Sequence, residues 1–224
     1  MAEALAAPAK GAARRDGRSA ARRGPETRDA IQEAALELFA KLGYHATSMR
    51  AIATSAQVQP AAIYHWYASK EAILVQLQDD FMDRLTERLL EAAGRHDRPA
   101  LQLAAAVREH VIFHGIHSRA AFVTDSEIRA LAPGPRRALV AQRDAYQERF
   151  ADWIRAGMAD GSLNATHPDV ATYAILLQCT GAALWFDPRG PLSVEEVAEA
   201  YVELVLGSLQ AGPELIAEAV KATR

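Results

Sequence analysis

The sequence has one cysteine, Cys179, among 224 residues. A lone thiol cannot close an internal disulfide or build a cysteine-rich metal site, and in its apolar setting it reads as a small buried side chain. Long hydrophobic runs are missing too. Every apolar stretch is broken well short of the roughly 20 positions that a membrane-spanning helix needs, so no membrane partner is expected. The arginines near the N-terminus are followed by no apolar block with a small-residue cleavage site, which makes the cytoplasm the expected compartment. No nucleophile elbow, phosphate-cradling glycine loop or paired-carboxylate spacing is present, which points away from an enzyme such as a hydrolase and from any bound cofactor. Sustained polar–apolar alternation, the mark of a half-buried strand, is also absent.

What is present is an apolar half (50%) and 24% charged residues, divided unevenly by sign. Residues 1–75 hold ten Lys and Arg against seven Asp and Glu, net +3, and the remainder holds 15 against 21, net −6. A basic front and an acidic back imply that only the front meets a polyanion. Residues 1–24 are rich in Ala, Arg and Gly and carry almost no large apolar side chain, so they cannot bury enough surface to fold. They read as a disordered basic arm charged by Lys10, Arg14, Arg15, Arg18, Arg22 and Arg23, or as a solubilising tail or a start placed too far upstream.

From Thr27 onward the apolar residues recur at helical spacing, and the expected fold class is all-α. Ile31, Ala34, Ala35, Leu38, Phe39 and Leu42 form a first amphipathic stripe that Gly43 closes. Thr47 or Ser48 can cap a short second helix facing inward through Met49, Ile52, Ala53 and Ala56. After a tight turn at Gln57, Pro60 suits the first turn of a third helix over 60–67, and Ser69 caps a longer fourth helix with its stripe at Leu74, Leu77, Phe81, Leu85 and Leu89. Further helices are expected over 100–117, 120–131, 135–159, 168–186 and 194–209. Turn chemistry at Ala132-Pro133-Gly134-Pro135, Asp160-Gly161-Ser162 and Asp187-Pro188-Arg189-Gly190-Pro191 separates them, and Ser193 with Glu196 can form a capping box.

Two short helices joined by a tight turn make a helix-turn-helix, whose second helix can enter the DNA major groove. Gln59, Tyr64 and His65 supply donors and acceptors on that helix, and Ala61 and Ala62 permit close approach to a thymine methyl. Thr47, Arg50 and Lys70 flank it as candidate phosphate contacts. The strings Thr47-Ser48-Met49-Arg50-Ala51-Ile52-Ala53, Ala56-Gln57-Val58, Ile63-Tyr64-His65-Trp66-Tyr67 and Ser69-Lys70-Glu71-Ala72-Ile73-Leu74 resemble the DNA-binding domain of TetR-family repressors. The resemblance implies phosphate contacts from Tyr64 and Lys70, a helix-start contact from Thr47, and base-facing positions from Gln59 to Ala62 and at His65. It also exposes departures: Gln57 stands where glycine is usual, at a cost of about 1 kcal/mol if it is left-handed, and Pro60 where a polar residue is common. The domains are then a basic arm (1–24), a three-helix helix-turn-helix domain (25–84) and a larger ligand-binding and dimerisation domain (85–224).

The helix from Pro168 is apolar all round, which implies burial on every face. With Val197, Ala198, Tyr201, Val202 and Val205 it suits a four-helix homodimer interface, for which Tyr173, Leu177, Leu184, Tyr201, Val202 and Val205 are the candidates. A dimer would set two reading helices on a pseudo-palindromic operator in double-stranded DNA. On the helix after Pro99, His110 and His114 share an apolar stripe with His117 one turn on. They read as core histidines, as metal ligands, or as the polar members of a cavity with Phe122, Tyr146, Phe150, Trp153 and Trp185. The strings Phe122-Val123-Thr124-Asp125-Ser126-Glu127-Ile128-Arg129-Ala130-Leu131 and Cys179-Thr180-Gly181-Ala182-Ala183-Leu184-Trp185-Phe186 resemble the ligand domain of TetR repressors of steroid and fatty-acid catabolism. That resemblance implies an acyl-CoA effector with its acyl group among the aromatics and Arg129, Arg143 or Arg189 meeting its phosphates. A metal- or drug-responsive regulator and a sequence-neutral DNA binder are the alternatives.

Overall fold

The computed structural model describes residues 24–224, and the charges of the expected basic arm, Lys10 to Arg23, lie outside the described residues. Among the described residues the chain forms ten α-helices and no strand. Helix α1 (Gly24–Leu42) buries Ile31, Ala34, Ala35 and Phe39 as its periodicity requires. Leu42 departs from that expectation and is 52% exposed, because Gly43 turns the chain at φ +85° and Tyr44 packs on Phe39 in its place, ring centroids 5.2 Å apart. Of the two candidate caps, Ser48 caps α2 (Met49–Ser55), its Oγ accepting from the Ala51 N–H at 3.1 Å. Gln57 takes the left-handed φ of +57° that its position demands.

Helix α3 is shorter than expected, Ile63–Trp66, because Pro60 to Ala62 form a turn closed by the Ala62 N–H on the Gln59 carbonyl at 2.8 Å. Ile52, Ala53, Ile63, Tyr67 and Ile73 join α1 in a closed small core. Helix α4 (Lys70–Ala93), capped by Ser69, runs unbroken through the expected boundary at residue 84 and serves both halves of the chain.

Helix α5 (Pro99–Ile116) is the one buried on nearly every side. It packs on α4, α7, α8 and α9, and Ala104, Ala105 and Ala106 let these neighbours approach. The expected helix over 120–131 divides into α6 (Ser118–Ser126) and a 3₁₀ turn (Glu127–Ala130). Helix α7 (Pro133–Ala159) starts two residues early and absorbs the expected turn, because Pro133 and Pro135 occupy a first turn whose N–H groups have no intrahelical acceptor. Helix α8 (Pro168–Trp185) buries Thr172, Ile175, Cys179 and Ala182 and, within the protomer, exposes Val170, Tyr173, Leu177 and Leu184, the last three on the expected dimer face. Helix α9 (Val194–Ser208) begins with the expected capping box of Ser193 and Glu196. A tenth helix, α10 (Pro213–Ala222), was not anticipated and packs on α9 and α5.

Candidate functional site

The first surface is built by α2, α3 and the turns around them. Ile52, Ala53 and Ile63 point inward, which leaves Arg50, Gln59, Ala61, Ala62, Tyr64 and His65 exposed on the outside. A planar phenol, an imidazole, a carboxamide and a guanidinium beside two alanines form a surface able to contact base edges and phosphates.

Two expected phosphate contacts have other partners. Thr47 is 2% exposed, and its hydroxyl donates to the Gly43 carbonyl at 2.9 Å, so it stitches the α1–α2 loop instead of facing outward. Lys70 Nζ donates to the carbonyls of Tyr44 at 2.6 Å, Thr47 at 2.7 Å and His45 at 3.4 Å, and lies 4.2 Å above the Tyr44 ring. Its three N–H groups are thereby spent on the loop. Burial also lowers its pKa. Tyr67 belongs to the core, its hydroxyl accepting from Arg28 Nε at 3.2 Å.

The second feature is a two-chambered cleft in the larger half. An outer chamber of about 650 Å³ opens between α6, α7 and α8, walled by Phe122, Tyr173, Leu177 and Leu184. An inner chamber of about 160 Å³ lies against α4 and α5, walled by Phe81, Met82, His110, His114 and Tyr146. Asp125, Arg143, Leu176 and Thr180 border both. At this junction Arg143 Nη2 sits 3.2 Å from Asp125 Oδ1 and donates to the Thr124 carbonyl at 2.9 Å. Burial raises the Asp125 pKa while Arg143 opposes the shift.

The imidazoles of His110 and His114 stack nearly parallel, 9° between planes and 4.0 Å between centroids. His110 Nδ1 meets the Tyr146 hydroxyl at 2.8 Å and Nε2 meets Thr180 Oγ1 at 3.1 Å. His114 Nδ1 reaches the His110 carbonyl at 2.8 Å. Burial drives His110 well below the ordinary histidine range and His114 from 6.5 down to about 4, so both rings are neutral at pH 7. The unfolded chain therefore binds more protons than the folded one between these values, and stability is lost as pH falls from about 6.5 toward 4. For His114 alone this amounts to about 3 kcal/mol. Thermal unfolding at pH 7.5 and 4.5 should show this drop, and His114→Phe should shrink it. An unchanged pH slope in the variant would contradict the assignment.

The remaining expected ligand residues do not line this cleft. Phe150 is fully buried behind it, ring to ring with Tyr146 at 5.4 Å, and Trp153 packs on Phe150 from the far side at 5.7 Å. Trp185 lies on the outer surface, its Nε1 donating to the Tyr201 hydroxyl at 3.3 Å. Arg129 is exposed on the 3₁₀ turn, and Arg189 is held by Asp187 in an exposed turn. The metal reading fails on geometry: among the described residues no three His, Cys, Asp or Glu side chains could hold an ion, and His117 turns aside onto Phe113. Of the expected dimer residues, Val202 and Val205 are fully buried within the protomer, because the α9 stripe is consumed by packing on α5. Tyr173, Leu177 and Leu184 are exposed and Tyr201 is half-buried. Thr180 and Asp125 were missed as site residues, although both lie within the strings that carried the resemblance.

Two hydrogen bonds tie the cleft wall to the first surface. The Tyr44 N–H donates to Glu127 Oε1 at 3.2 Å, and the Ala132 N–H donates to Glu71 Oε1 at 2.5 Å. Glu127 opens the 3₁₀ turn directly after Asp125 and Ser126, which border the outer chamber. Tyr44 is the residue whose carbonyl Lys70 holds.

Residues 31–77 match the model of bacterial regulatory proteins of the tetR family, and residues 96–209 match that of the tetracyclin repressor-like C-terminal domain. The chain belongs to the TetR family. It is similar to the HTH-type transcriptional repressor KstR2 of Mycolicibacterium smegmatis, 30% identical over 186 residues that cover 81% of this chain and 90% of the relative. Among solved structures, a TetR-family regulator from Rhodococcus RHA1 superposes with TM-score 0.78 at 26% identity, covering 83% of this chain and 98% of that one. The ketosteroid transcriptional regulator KstR2 of Mycobacterium tuberculosis gives 0.75 at 25%, covering 81% and 94%. AibR, solved with isovaleryl coenzyme A and operator DNA, shares the fold with TM-score 0.73 at 24% identity, covering 80% and 97%. This TetR-family chain is thus a transcriptional regulator similar to KstR2 repressors, and its relatives are regulators, not enzymes.

Proposed function

We propose that this TetR-family protein is a dimeric repressor that binds a pseudo-palindromic operator and is released by a small apolar effector, an acyl-CoA thioester. The observation that carries this reading is shared membership. Tyr173, Leu177 and Leu184 wall the outer chamber and also form the exposed apolar face of α8, while the opposite wall, α6, leads through Glu127 to the Tyr44 knot. Each apolar side chain exposed on α8 is disfavoured in water, and pairing with a second copy would cover them and roof the cleft. A ligand wedged between α6 and α8 would then act on the dimer face and on the α6–reader ties together. Release follows by linkage if the liganded arrangement sets the reading helices off register, and its size equals the differential affinity of the ligand for the two arrangements. The acyl group would enter the cleft, with Arg143 at its neck. Arg129 and Arg189, exposed outside it, remain available to phosphates only beyond the chamber itself.

The test is fluorescence anisotropy with the DNA upstream of the protein's own coding region and with a scrambled duplex, at moderate salt where sequence-neutral binding weakens. The expected result is binding confined to the native duplex and its loss on titration with a short-chain acyl-CoA but not with free CoA. Equal affinity for both duplexes would favour a sequence-neutral binder and overturn the proposal.

A further inference from the structure

The inner chamber contains an unused hydrogen-bond code. Because a carbonyl can only accept, His114 Nδ1 must carry the proton it gives to the His110 carbonyl. Its Nε2 is then a bare lone pair, and it meets no donor among the described residues although His114 borders the chamber. The second code position comes from the neighbouring chain of hydrogen bonds. His110 Nδ1 meets the buried Tyr146 hydroxyl and Nε2 meets Thr180 Oγ1, so the neutral ring donates to one of these hydroxyls and accepts from the other. The hydroxyl that accepts keeps its own proton free: that of Thr180 at the junction of the two chambers when Nε2 carries the ring proton, that of Tyr146 against the inner chamber when Nδ1 does. Arg143 Nε, buried without an acceptor, lies at the same junction. The site therefore offers donors at its neck and one acceptor deeper in.

From this polarity we infer that the effector is a short hydroxyacyl thioester, with its thioester carbonyl accepting from Thr180 at the neck and its hydroxyl donating to His114 Nε2 inside. The inference rests on the acyl-CoA reading above and narrows it. An acyl chain that passes the neck enters the smaller of the two chambers, about 160 Å³ against about 650 Å³. Thr180 Oγ1 lies 3.1 Å from His110 Nε2 and the His110 ring stacks on His114 with 4.0 Å between centroids, so donor and acceptor are neighbours across one imidazole, as a carbonyl and a 3-hydroxyl are along an acyl chain. A 3-keto group in the same place would set its oxygen against the His114 lone pair, and a methylene would leave that lone pair desolvated.

The probes are 3-hydroxybutyryl-CoA, butyryl-CoA and acetoacetyl-CoA, titrated calorimetrically into the full-length protein. The expected order is 3-hydroxybutyryl-CoA tightest, by about tenfold over butyryl-CoA, with acetoacetyl-CoA weakest. His114→Phe should erase the preference for the hydroxyl, and Thr180→Val should weaken all three alike. Equal binding of the three by the unmodified protein would overturn the hydroxyl assignment while leaving the acyl-CoA reading intact. Binding of none would overturn both. The comparison on unmodified protein stands even if a variant fails to fold.

Discussion

Replacing Leu177 and Leu184 together with glutamate is expected to convert the dimer to a monomer and to lower operator affinity by at least 100-fold, with thermal stability of the protomer almost unchanged. Both side chains are close to four-fifths exposed in the protomer, so neither substitution removes packing inside it. In the proposed dimer the second copy covers these positions, and buried carboxylates without partners are strongly unfavourable there. A monomer carries one reading helix, and it loses the effective-concentration advantage of engaging two half-sites, typically 10²- to 10⁴-fold. Light scattering after gel filtration gives the mass, and anisotropy gives the affinity. A variant that stays dimeric would place the interface elsewhere.

Lys70→Met should have the largest effect within the reader. The substitution keeps most of the apolar stem and removes the ammonium, leaving the Tyr44 and Thr47 carbonyls without their donor. Hydrogen bonds to charged groups contribute about 1.5–3 kcal/mol each, so a loss of about 3 kcal/mol is expected, together with loosening of the loop that positions α2. Operator binding should fall with it. Tyr64→Ala makes the contrast, because Tyr64 is 58% exposed. It should leave the melting temperature unchanged and weaken operator binding about tenfold. If Lys70 acted only as a phosphate contact, Lys70→Met would leave the melting temperature unchanged and reduce the salt slope by about one.

The contrast between these two residues shows what could be read from the sequence. Periodicity placed Ile31, Phe39, Ile52 and Leu74 correctly because burial of a helix face depends on spacing alone. It could not tell that Lys70 turns inward, since three carbonyls brought together by a loop leave no local pattern. The same limit explains α8 and α5. An all-apolar helix demands burial, but whether its own chain or a second copy supplies the cover is a tertiary fact, and α5 took the central position. Val202 and Val205 fell on the inner side of α9 for that reason. Apolarity does not distinguish a cavity wall from its support, so the sequence groups Phe150, Trp153 and Trp185 with the lining, whereas Phe150 and Trp153 form a layer behind it and Trp185 an outer patch. Helix α10 has no clear signal in the sequence, because one short apolar face after Gly212 and Pro213 resembles a loose tail until α9 is there to receive it.

The central claim is that filling the α6–α7–α8 cleft releases the operator. Native mass spectrometry of the operator complex during titration with 3-hydroxybutyryl-CoA measures both partners at once. The account predicts a duplex carrying an even number of chains that disappears as a thioester-loaded dimer and free duplex rise together. A complex that gains thioester and keeps its DNA would contradict it.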